Sequence, residues 1–125
     1  MRTSDPFNDT INEAASAMFD QMCTDREQIM ELGKVVSKTV SETVPDNETL
    51  SVVVGAAFTL IGSMVMDMTV DKCEADRCTD LEEARQIYGT NMLIVQRAFG
   101  IYTKHLYDGN EGMLAEKIGA SNANQ

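Results

Sequence analysis

Thr49-Leu50-Ser51-Val52-Val53-Val54-Gly55-Ala56-Ala57-Phe58-Thr59-Leu60-Ile61-Gly62-Ser63-Met64-Val65-Met66 is a run of 18 residues without a charge. Its length and composition call for a helix that is apolar on every side, and such a helix has to be wrapped all round. Eighteen residues also reach the lower bound for crossing a bilayer. Ser51, Thr59 and Ser63 inside the run, its two glycines, and acids rather than Lys or Arg at both ends favour a core helix over a membrane span. The expectation is therefore a central hydrophobic third helix in a protein without a membrane.

Amphipathic helices flank it on both sides. Asp5 suits an N-cap and Pro6 a first helical position. Phe7, Ile11, Ala15, Met18 and Met22 then recur at helical spacing, which predicts a first helix over Pro6–Cys23. Cys23 sits beside this stripe and reads as core. Thr24-Asp25-Arg26-Glu27 has the form of a capping box and predicts a second helix, with Ile29, Leu32, Val36, Val40 and Val44 inward. The box abuts Cys23, so a sharp corner between the first two helices and a single kinked helix both fit. Pro45 stops the second helix, and Asp46 or Asn47 is placed to cap the third.

Downstream, Thr79-Asp80-Leu81-Glu82 is a second capping box, leading a fourth helix that carries Leu81, Tyr88, Val95, Phe99, Tyr102 and Leu106 to about Tyr107. Asp108-Gly109-Asn110 reads as its terminator, followed by a short fifth helix, Glu111–Ile118. No repeat or strand-like alternation interrupts this pattern. The sequence predicts an all-α domain over residues 1–118, an antiparallel four-helix bundle with a short C-terminal fifth helix, and a loose tail over residues 119–125. A bundle of this size leaves each helix one exposed face, but the third helix has no polar face to expose. Homodimerisation through a seam of Gly55, Phe58, Gly62 and Met66 meets that difficulty, with the small residues admitting a neighbouring helix closely.

Charge narrows the function. Twenty acids against ten bases give a net charge of −10. Such a surface repels phosphate backbones and anionic lipid, which disfavours direct nucleic-acid binding and membrane-surface binding. Half of the imbalance lies in 17 residues, where Asp67, Asp71, Glu74, Asp76, Asp80, Glu82 and Glu83 face only Lys72 and Arg77. This stretch is either a solvated helix end or a docking patch for a basic protein, including a nucleic-acid-binding partner for which carboxylates imitate phosphates. The fourth helix has no acid between Arg85 and Tyr107, and Arg97, Tyr102, Lys104 and His105 are the candidates for holding a small anion such as a nucleotide.

Metal and thiol chemistry find little footing. Asp67 and Asp71, with Glu27 and Glu31 on another helix, are carboxylates of the kind that hold Mg²⁺. Both pairs are one residue wider than the ExxE and ExxD elements of all-helical nucleotide pyrophosphohydrolases. Cys23, Cys73, Cys78 and the single histidine, His105, lack the spacing of a zinc knuckle, and a local Cys73–Cys78 disulfide is the alternative. An odd cysteine count and an N-terminus without an apolar signal core point to reduced thiols and a cytoplasmic protein.

The sequence is thus read as a non-enzymatic interaction or regulatory module, homodimeric, needing no cofactor or metal. The alternatives are a bundle that sequesters a small anionic ligand and a metal-dependent nucleotide hydrolase.

Overall fold

The computed structural model describes the backbone of residues 5–123 and the side chains of residues 5–119. Every regular element among them is helical: α1 (Pro6–Thr24), α2 (Arg26–Thr43), a 3₁₀ turn (Asp46–Glu48), α3 (Thr49–Asp76) and α4 (Leu81–Ala123).

Asp5 caps α1 as its sequence predicts, accepting from the backbone N–H of Phe7 at 3.0 Å and of Asn8 at 3.4 Å, with Pro6 in the first turn. The predicted Thr24 capping box does not form. Thr24 still belongs to α1, and its hydroxyl donates to the Asp20 carbonyl. The N–H of Asp25 bonds Gln21 and the N–H of Ile29 bonds Asp25, so helical hydrogen bonding runs through the junction. Of the two geometries compatible with the sequence, α1 and α2 follow the kinked helix, and only Asp25 (φ −90°, ψ 16°) leaves regular helical geometry. A side chain that can bond its own preceding turn offers no cap.

Pro45 ends α2 as expected, and the chain enters α3 through the 3₁₀ turn without a side-chain cap from Asp46 or Asn47. α3 runs past the uncharged stretch to Asp76 and closes on Arg77, which adopts the left-handed conformation (φ 54°, ψ 50°). The N–H of Cys78 reaches the Cys73 carbonyl at 3.0 Å, a Schellman-type closure with arginine where glycine is usual. The second capping box forms one residue later than its sequence reading. Asp80 accepts from the N–H of Glu83 at 2.9 Å, and the Glu83 carboxylate accepts from the N–H of Thr79 at 3.2 Å.

The largest departure is at the C-terminus. α4 continues through Asp108-Gly109-Asn110 to Ala123, so the predicted fifth helix is the last part of the fourth. No glycine takes a positive φ. Gly109 therefore does not act as a terminator, and the Asn110 side chain donates back to the Leu106 carbonyl inside the continuing helix. Of the predicted tail, residues 119–123 are helical and residues 124–125 lie outside the described residues.

α3 and α4 form an antiparallel hairpin, tied where the Asn91 side chain donates to the Thr69 hydroxyl at 3.2 Å. α1 lies against α4 in the parallel sense. Arg97 bonds Asn12, while seven residues further along α1 the Phe19 ring meets Tyr102 and His105 edge-on, at centroid distances of 6.5 and 5.4 Å. An antiparallel arrangement thus describes α3 with α4 but not α1 with α4. Among the described residues, the buried ones come from these three helices: Ile11 and Ala15 from α1, Val65 and Thr69 from α3, and Ala98 from α4. They define a small hub.

Beyond the hub the helices are bare. Leu50, Phe58 and Leu60 of α3 are 78%, 66% and 62% exposed, so the apolar helix that the sequence requires to be wrapped is uncovered over its N-terminal half. α2 buries no residue. The chain exposes 10141 Å², against about 6,600 Å² for a compact monomer of its mass.

Left-handed geometry costs a side chain with a β-carbon about 1 kcal/mol that glycine avoids. Arg77→Gly is therefore expected to be about 1 kcal/mol more stable in urea unfolding than the equally uncharged Arg77→Ala. Equal midpoints would show that the cap is not held in this conformation.

Candidate functional site

The structure sorts the acidic stretch into two kinds of carboxylate. Asp76 pairs with Lys72 at 3.3 Å and Glu82 with Arg85 at 3.6 Å. Asp80 and Glu83 cap α4. These four satisfy local partners. Asp67, Asp71 and Glu74 are exposed and make no ion pair among the described residues.

Between the C-terminal half of α3 and the first turns of α4 runs an open groove of about 900 Å³. Met68, Ile87 and Ile94 supply its apolar wall, and Asp71, Asp76 and Glu83 its acidic rim. The hairpin explains this composition. Antiparallel helices joined by the Arg77–Asp80 corner bring the acids that end one helix beside those that begin the next, where the first turn favours negative charge.

Cys73 and Cys78 meet at the same corner. Both are half-buried thiols and form no disulfide. Partial burial, a hydrogen bond with the Cys73 thiol and the neighbouring Glu83 carboxylate push the Cys78 thiol up to about 11. All of these act against the thiolate. Cys23, read as core from its stripe, is exposed.

Arg97, Tyr102, Lys104 and His105 divide between two sides of α4. Arg97 and Lys104 line an open hollow of about 420 Å³ with Asn12 and Ser16 of α1. Tyr102 and His105 instead pack on Phe19. Arg97 donates to the Asn12 side chain. Lys104 donates to Asp108 at 2.9 Å, a bond that raises its pKa and commits its charge within the helix. The four residues do not converge on one ligand. Among the described residues no three of His, Cys, Asp and Glu are grouped closely enough to hold a metal ion, so Glu27 and Glu31 do not join Asp67 and Asp71.

The most extensive feature is apolar. Gly55, Phe58, Gly62 and Met66 share one side of α3, where Phe58 is 66% and Met66 51% exposed. A β-carbon added at either glycine would meet nothing within 4 Å. A separate apolar groove of about 500 Å³ runs along α2, lined by Ile29, Leu32, Val36 and Val40 and closed on one side by Val53 of α3. Sequence periodicity identified the α2 stripe but assigned it to the interior of a bundle. Compared with protein-family models, curated proteins and solved structures, the chain matches none.

Two outcomes follow from this geometry. At pH 8 a thiol with a pKa near 11 is on the order of one part in a thousand thiolate. Brief N-ethylmaleimide labelling read by mass spectrometry should therefore modify exposed Cys23 first and Cys78 last; comparable rates would contradict the Cys73–Cys78–Glu83 arrangement. Converting Asp71, Glu74 and Asp76 to Asn, Gln and Asn should change unfolding free energy by less than about 0.5 kcal/mol, since the only ion pair lost is exposed. A larger loss would give these acids a structural role.

Proposed function

We propose that this chain is a non-enzymatic helical interaction module that works by protein–protein contact, first by self-association through α3. The observation that carries this reading is the exposed apolar surface. The chain shows 10141 Å² to solvent, roughly 3,500 Å² more than a compact monomer of its mass. The surplus includes large side chains such as Leu50, Phe58 and Met64. Contiguous apolar patches above a few hundred Å² mark interaction surfaces on soluble proteins. Gly55 and Gly62, open within the chain, lie beside Phe58 and Met66 on the face offered to the neighbour.

Asp67, Asp71 and Glu74 form a second surface, offered to a basic partner. Partner association through it would be steered by charge and slowed by salt. The acids that cap α4 or pair locally contribute to the hairpin instead.

One observation favours a second reading. The helical stretch Asp46–Asp76 contains an 18-residue window of mean hydropathy 2.0, of which 6% is buried. A bilayer would cover such a window as completely as protein would. It would not cover the bare faces of α2 and α4, whose helices carry charges on their other sides, and this weighs toward protein contact.

Light scattering decides between them. The 13.8 kDa chain should run near twice its mass at micromolar concentration, and Phe58→Glu should shift it toward the monomer by placing a charge in the apolar seam. A wild-type protein that is monomeric without lipid and floats with neutral phosphatidylcholine vesicles would replace this reading with the membrane one.

A further inference from the structure

The closure of α3 fixes which side chains meet over its end. Arg77 is the left-handed residue. Its N–H bonds the Glu74 carbonyl at 3.3 Å, and the N–H of Cys78 bonds the Cys73 carbonyl at 3.0 Å. In this closure the residue after the left-handed one folds back over the residue five positions before it, where an apolar side-chain contact commonly seals the cap. Here those two residues are Cys78 and Cys73, so the contact is between two thiols.

The pair meets the requirements of a disulfide. Given the 3.0 Å backbone bond, bond lengths alone keep the two α-carbons within about 7 Å, the limit for bridging without backbone movement. Both side chains are half-buried, and both line one hollow of about 440 Å³ with Thr69, Val70 and Ala84. The third thiol of the chain, Cys23, is exposed on α1 and lines neither this hollow nor the acidic groove beside it.

We propose that Cys73 and Cys78 are a redox pair, which a small-molecule disulfide such as oxidised glutathione converts to an intramolecular disulfide across the end of α3. The Cys73 thiolate attacks one glutathione sulfur, a mixed disulfide forms, and one glutathione thiolate leaves. Cys78 then gives its proton to solvent and attacks the Cys73 sulfur; the Cys73–Cys78 bond forms as the second glutathione thiolate leaves. Two protein thiols are oxidised, and one glutathione disulfide is reduced to two glutathione thiols.

The surroundings set this order. Burial, the Cys73 sulfur and the Glu83 carboxylate hold the proton on Cys78 and push its pKa to about 11, so the first attack falls to Cys73. Once Cys73 is part of a mixed disulfide it carries no charge, and its share of the hindrance to Cys78 disappears. The finished bond holds Arg77 in its left-handed turn independently of the two backbone bonds. Cys78 also lines the groove with Asp71, Asp76 and Glu83, so oxidation stiffens one wall of that groove.

Peptide mapping tests the pairing. The folded chain is incubated with oxidised glutathione in mildly alkaline buffer, blocked with N-ethylmaleimide and cut with trypsin without reductant. Cleavage after Lys72, Arg77 and Arg85 separates the two cysteines, so the disulfide appears as residues 73–77 joined to residues 78–85. That joined peptide should be the main oxidised product, and dithiothreitol should abolish it. Cys78→Ser should retain glutathione on Cys73, whereas Cys73→Ser should carry much less on Cys78; the reverse pattern would overturn the order of attack. In urea, the oxidised glutathione needed for half-closure should rise on the order of tenfold, because a bond favoured by the cap loses that favour when the cap unfolds. Separate glutathione adducts on both cysteines of the folded wild type, or disulfides joining either one to Cys23, would overturn the proposal. A half-closure point unchanged by urea would overturn it as well, since proximity along the chain would then account for the pairing.

Discussion

An α-helix with apolar side chains all the way round must be surrounded, and α3 sets that demand for the whole molecule. From Thr49 to Met66 it has no charge to turn toward water. Its C-terminal half meets α4 and α1 and supplies Val65 and Thr69 to the hub. Its N-terminal half has no such neighbours within the chain. α2 runs back from the Pro45 turn beside it, yet none of α2 is buried. Each other element takes its significance from this imbalance: a hub too small for the helices it joins, and arms whose apolar faces lie open.

The hub sits where two small residues, Ala15 and Ala98, let the helices cross closely. Ala15 and Ala98 are fully buried and let α1 and α4 approach, while Ile11 and Val65 fill the space between them. The one polar residue inside, Thr69, is satisfied twice: its hydroxyl donates to the Val65 carbonyl at 2.8 Å and accepts from Asn91. Burial without such partners would cost a few kcal/mol. Five buried side chains contribute little against the entropy of ordering more than a hundred residues.

Acidic residues concentrate around the α3–α4 corner. The acids there cap a helix, pair with Lys72 and Arg85, or remain at the surface. Arg97 and Lys104 of α4 are engaged by Asn12 and Asp108. At the corner the Cys78 thiol is pushed away from its reactive form, and further along α4 His105 packs on the Phe19 ring.

Local chemistry was legible in the sequence. The uncharged run of α3, the Asp5-Pro6 start, the Pro45 stop and the helical period of every segment depend on interactions within a few residues, and these fix helix content whatever the chain later packs against. Signals that compete with a continuing helix were less decisive. Thr24 spent its hydroxyl on its own helix, and Asp108-Gly109-Asn110 stayed helical because the residues on both sides favour continuation more than one glycine opposes it. The direction of α1 along α4, the division of Arg97 and Lys104 from Tyr102 and His105, and the meeting of Cys73 with Cys78 and Glu83 required the tertiary structure. Periodicity states which face of a helix is apolar, but not which helix covers it. That choice is made by long-range packing, and here it places α4 against α1 and α3 while leaving the faces of Leu32, Phe58 and Leu106 open.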